Sequence, residues 1–86
     1  MKKIIKQIAS LLIEALEKEN ELATVTVDHF KEIRRDINNG DLDSDSAGGW
    51  SYEIGLVTEV IDRKKFAKDA EYLDKMVELL DKMEEN

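Results

Sequence analysis

Three aspartates at alternate positions, Asp41, Asp43 and Asp45, come nearest in this chain to a residue pattern with its own chemistry. Carboxylates spaced this way in a loop can converge on a hard cation, and calcium takes about six to eight oxygen ligands. Glu53, a short distance downstream, is the next carboxylate that such a site can recruit. Other chemistry is harder to assemble. His29 is the only histidine and there is no cysteine, so no thiolate site exists and no nucleophile–base pair finds support. Twenty acidic residues allow carboxylate pairs almost anywhere, so no single pair is diagnostic of acid–base catalysis. Gly48-Gly49 lacks the lysine and the spacing of a phosphate-binding loop. The residues therefore predict a non-enzymatic protein without a cofactor.

The aspartate run resembles the start of an EF-hand loop, with Asp41, Asp43 and Asp45 at the first, third and fifth positions. It departs from that pattern at Ser46, where the turn glycine belongs, and at Tyr52, where the bidentate glutamate belongs; Glu53 comes one residue late. The resemblance implies an alternative reading: a calcium-responsive helix–loop–helix with Asp41, Asp43, Asp45 and Glu53 as metal ligands. The simpler expectation is a solvated acidic loop whose Asp and Ser residues serve turns. At the loop's end Trp50 and Tyr52 are candidates for interface anchors, because aromatic residues dominate binding hot spots. Closure of the core beneath the loop is the competing role for Trp50.

Four amphipathic segments have to position these residues. Ile4, Ile5, Ile8, Leu11, Leu12, Ala15 and Leu16 share one helical face, which predicts a helix over 3–18. Val27, Phe30, Ile33 and Ile37 predict a second over 27–38, with Thr26 as its N-cap and Asn38-Asn39-Gly40 as its stop. The β-branched run before it leaves a short extended segment open at 23–27. Residues 39–49, rich in Asp, Ser and Gly, read as a loop. Trp50, Ile54, Val57 and Ile61 then predict a helix over 51–62, capped by Ser51, with Val60 also on the inner face, although the alternation of Trp50, Tyr52, Ile54 and Leu56 leaves a strand open at 50–56. Phe66, Ala70, Leu73, Val77 and Leu80 predict a last helix over 66–84, on a stripe turned about half way round from the preceding one. A break near Asp62 to Lys65 follows, since one straight helix cannot aim both stripes at one core. The expected fold is all-α: a single small domain over 1–86, a bundle of three or four helices.

Composition narrows the partner. Net charge is −7 and the pI is about 4.7, so a nucleic-acid backbone is repelled and direct nucleic-acid binding is not expected. An acidic chain is instead steered toward basic protein surfaces. The basic groups Lys31, Arg34 and Arg35, and Arg63, Lys64, Lys65 and Lys68, read as solvated faces. No segment has the run of a membrane span or a secretory signal, and the expected compartment is the cytoplasm. In size and acidity the chain is similar to small bacterial and phage inhibitor proteins, a likeness of gross properties without a shared motif. The expected function is a protein-binding regulator or inhibitor, with Asp36, Asp41, Asp43, Asp45 and Glu53 meeting a basic surface on another protein and Trp50 and Tyr52 supplying apolar anchors. A third reading is self-assembly as a homodimer through the first or last apolar stripe.

Overall fold

A computed structural model describes residues 2–85, which form four helices: α1 (Lys2–Leu16), α2 (Thr24–Asn38), α3 (Ser44–Val60) and α4 (Ala67–Glu85). The all-helical expectation holds, and the described residues contain no strand. Ile8, Leu12, Phe30, Ile33, Ile54, Leu73, Met76, Leu80 and Met83 lie wholly buried at the centre, so each helix contributes to one core. The stripes of α1 and α4, the two seams considered for self-assembly, are turned into this core.

Helix α1 stops at Leu16, two residues before the expected end, because the charged run that follows has no apolar side chain to bury. A 3₁₀ turn over Glu19–Glu21 takes its place, outside the core. Before α2 the chain is extended at Leu22 and Ala23, and the helix begins at Thr24, so residues 24–27 are helical where an extended segment was the alternative. The reason lies far away in sequence. Asp69 of α4 is fully buried, and its Oδ2 accepts the Ala23 N–H at 2.8 Å. A carboxylate on a helix N-terminus satisfies an orphan donor and complements the helix dipole. This cap from another helix starts α2 a turn early, over the small propensity cost of its β-branched residues. Thr26, expected to be the cap, lies inside the helix. Its Oγ1 and the Oδ1 of Asp69 are both buried without a hydrogen-bond partner among the described residues.

The α2 terminus is where the Asn-Asn-Gly sequence placed it. Gly40 adopts φ 72°, its N–H donates to Ile37 O at 3.1 Å, and Asp41 N–H donates to Asp36 O at 2.8 Å. That pair of bonds is a Schellman stop, which needs the left-handed conformation glycine adopts freely.

The largest departure is α3. It begins at Ser44, so most of the expected 39–49 loop is helix and Ser51 is an interior residue, not a cap. A reciprocal capping box starts it: Ser46 N–H donates to Asp43 Oδ1 and Asp43 N–H to Ser46 Oγ, each at 2.9 Å. Packing then carries the helix through Gly48 and Gly49. Ala47 is completely buried, and α3 packs against α4 more extensively than any other two helices pack. Gly48 faces Glu84 so closely that a Cβ there would stand 3.0 Å from its carboxyl carbon. Ser51 donates its hydroxyl to Asp81 across the same interface. The expected break follows α3: Asp62 Oδ1 accepts the N–H groups of Lys64 and Lys65 at 3.0 and 3.2 Å and shapes the turn into α4.

Candidate interaction face on the third helix

Folding residues 44–49 into helix disperses the loop on which the calcium reading depended. Asp43 is spent as the N-cap, and the Ser46 N–H it accepts holds its carboxyl below the ordinary value. Asp45 stands in the first turn of α3, and Glu53 is two turns further on, roughly 12 Å along the axis. Among the described residues no group of three or more His, Cys, Asp or Glu side chains could hold a metal ion.

Trp50 and Tyr52, adjacent aromatics in the sequence, part company on the helix. The Trp50 indole turns toward α2, donates Nε1–H to Asp36 Oδ2 at 2.7 Å and meets the His29 ring edge-on at 6.3 Å. Both Asp36 and Trp50 are half-buried. They act as a clamp between α2 and α3, the core-closing role weighed for Trp50. His29 places Nδ1 2.7 Å from Val25 O, within its own helix.

Tyr52 points the other way. It is 67% exposed and heads a row with Leu56, 40% exposed, and Val60, 79% exposed. These three stand on successive turns, at i, i+4 and i+8, and so line one face of α3. Val60 is therefore corrected from the inner to the outer face. Among the described residues only five large apolar side chains are exposed, the others being Ile13 and Val25, which lie apart on α1 and α2. Asp45, Glu53 and Glu59 share the outer side with the apolar row, and none of them forms an ion pair among the described residues. Asp41 and Asp43 extend the acidic edge beyond the start of the helix, both exposed.

Charge is distributed with the same bias. Residues 36–62 contain seven acids and no Lys or Arg, so this segment carries a formal charge equal to that of the whole chain, −7, and the remainder is balanced. The apolar row lies within this acidic segment, on a helix that itself carries three of the acids, Asp45, Glu53 and Glu59, and no cation. Two glycines accompany them. A Cβ built at Gly49 or at Gly55 would meet no atom within 4 Å, so no contact within the chain calls for glycine at either place. Each costs about 1 kcal/mol relative to alanine in a helix interior.

Of the expected partner-binding residues, the structure thus brings Asp45, Tyr52 and Glu53 onto one surface, keeps Asp41 and Asp43 at its edge, and removes Asp36 and Trp50 to the clamp. Leu56 and Val60 were missed as surface anchors. The signal for them was their i+4 and i+8 spacing from Tyr52, within a segment that has no Lys or Arg.

A groove lies elsewhere, between α1 and α4. It encloses about 510 Å³, is open to solvent, and is lined by Lys3, Lys6, Glu14, Lys75 and Glu78 among others. Ser10 is the one hydroxyl side chain among its lining residues. No helix among the described residues is long and apolar enough to cross a membrane. Comparison with protein-family models, curated proteins and solved structures finds no match.

Proposed function

We propose that this chain is a non-enzymatic protein-binding regulator or inhibitor whose outer α3 face docks on another protein, at a surface with an apolar centre and a basic rim. The observation that supports this most is the coincidence on α3 of the exposed row Tyr52, Leu56 and Val60 with three acids, Asp45, Glu53 and Glu59, and no cation, inside a segment, residues 36–62, whose formal charge equals that of the whole chain. Exposed apolar residues scattered singly need no explanation, whereas three on successive turns make a contiguous strip. Unpaired carboxylates beside them favour a cationic partner, disfavour anionic ones such as nucleic acid, and speed encounter at low salt. Inhibition follows simply from occupation, since a partner whose basic surface is covered cannot use it.

The test is site-directed photo-crosslinking in the source cell. A photoreactive residue at position 56 is expected to trap a discrete partner, and the same residue at position 75, on the outer side of α4, is expected to trap none. Equal trapping from both positions, or trapping from position 75 alone, contradicts the assignment of the face.

A further inference from the structure

We infer that the element taken by the α3 face is a cationic amphipathic helix, laid along the row Tyr52, Leu56 and Val60; this rests on the reading of α3 as the docking face. The row is straight and narrow. Its three anchors span roughly 12 Å of one helix with a carboxylate on either flank, Glu53 on one side and Glu59 on the other. A convex ridge of this kind makes little contact with a flat surface. A second helix can seat its own side chains between successive turns, as ridges fit grooves in ordinary helix pairs.

Glu53 and Glu59 stand where the flanking residues of a coiled-coil seam stand, and such positions choose partners by charge. Neither forms an ion pair among the described residues and no cation lies within residues 36–62, so both are open to an incoming Lys or Arg. Gly49 and Gly55 supply an independent reason. Nothing within the chain approaches the place of either Cβ, so the backbone beside the ridge is bare. Close approach of an outside helix, toward the short end of the interaxial range of about 8–10 Å, uses that bare strip. The acidic edge at Asp41, Asp43 and Asp45 then lies beyond one end of the ridge, where the basic last turn of an antiparallel helix arrives. A second copy of this chain fits less well, because α3 against α3 sets one cation-free acidic face on another.

The experiment uses the full chain and a synthetic peptide of about three heptads, with leucine at a and d and lysine on the flanks. A fluorescent label on the peptide reports binding by anisotropy. Binding is expected with Kd of about 1–50 µM, a range ordinary for one helix on a small face. Leu56→Asp is expected to weaken it at least tenfold while circular dichroism shows an intact helical fold. A peptide of identical composition in scrambled order, with the same charge but no apolar face, is expected to bind at least tenfold more weakly. Glu53→Lys with Glu59→Lys is expected to abolish binding of the lysine peptide and to admit its glutamate-flanked counterpart. Glu71→Lys with Glu78→Lys on α4, of the same charge change, is expected to change little. If the scrambled peptide binds as well as the helix and Glu53→Lys with Glu59→Lys abolishes both, the helical partner is wrong and the acidic docking face survives. If no α3 substitution alters binding, or no peptide binds, the helical partner is overturned. Position-specific trapping at position 56 then decides the docking face separately.

Discussion

Helices α3 and α4 lie against each other and present opposite outer faces. The outer side of α4 is laced with ion pairs: Lys75 with Glu71 and Lys82 with Glu78, each at 3.5 Å and one turn apart, and Asp74 with Arg63 at 3.3 Å. No large apolar residue of α4 is exposed. The outer side of α3 has no ion pair among the described residues and carries Tyr52, Leu56 and Val60 in the open. The inner faces differ in the opposite sense. α4 buries Tyr72, Leu73, Met76, Leu80 and Met83, whereas α3 buries only Ala47, Ile54 and Val57. A helix that satisfies its surface charges internally is finished as a solvent face. A helix that divides its apolar residues between core and solvent, and leaves its outer acids unpaired, is the one on which the proposed docking face rests.

The sharpest way to break this comparison is to cut the same kind of side chain from the two sides of α3. Ile54→Ala, in the core, is expected to cost about 2–5 kcal/mol in chemical denaturation. Leu56→Ala, two positions on and outward, should stay within about 1 kcal/mol, because half-exposed side chains lose little on truncation. Similar losses at both sites would mean that the outer row packs against something within the chain.

Next in size is the cap that α4 supplies to α2. Asp69→Ala leaves the partly buried Ala23 N–H without its acceptor and is expected to cost about 1–3 kcal/mol. Asp69→Asn keeps an acceptor and should cost less. Thr26→Val removes a buried hydroxyl that has no partner and is expected to leave stability unchanged or raise it by up to about 1 kcal/mol. A large loss on Thr26→Val would show that the hydroxyl is satisfied.

Smaller effects separate the two outer faces. Glu71→Gln and Glu78→Gln each break an i,i+4 pair and should lower stability by about 0.3–0.5 kcal/mol, an effect that added salt erases. Glu53→Gln and Glu59→Gln have no pair to break and should be neutral in the same denaturation series, while weakening partner capture. The smallest expected effect is a local one in acid. The Ser46 N–H holds the Asp43 carboxyl below its ordinary value of 3.8, so its stabilisation of the α3 N-terminus is complete above that pH. It is lost as pH falls through the lower value of the folded state. Hydrogen exchange of the Ser46 and Ala47 amides should therefore accelerate below about pH 3.8, beyond its general pH trend, while α4 amides keep their protection. Uniform loss along both helices would contradict the assignment.

Periodic burial was legible in the sequence wherever one face did all the burying. α1, α2 and α4 follow their apolar spacing to within a few residues, and Asn38-Asn39-Gly40 marks its stop correctly. α3 was legible only in part because both of its faces are apolar, so its spacing blurs, and because Gly48 and Gly49 read as a loop. The local sign that outweighed them was present: Asp43 and Ser46 stand at capping-box spacing. The early start of α2 was not legible, since its cap comes from Asp69, 46 positions away. Among the site residues, composition pointed to acidity and to Tyr52, but only the helix register could separate Tyr52 from Trp50 and bring Leu56 and Val60 beside it.

The most direct test of the docking face is a residue-by-residue map. Amide chemical shifts of the full chain, recorded by NMR while the leucine–lysine peptide is added, should move at Asp45, Gly49, Tyr52, Glu53, Leu56 and Val60 and stay still at Glu71, Lys75, Glu78 and Lys82. Shifts spread evenly over both helices, or gathered on the outer side of α4, would contradict the account.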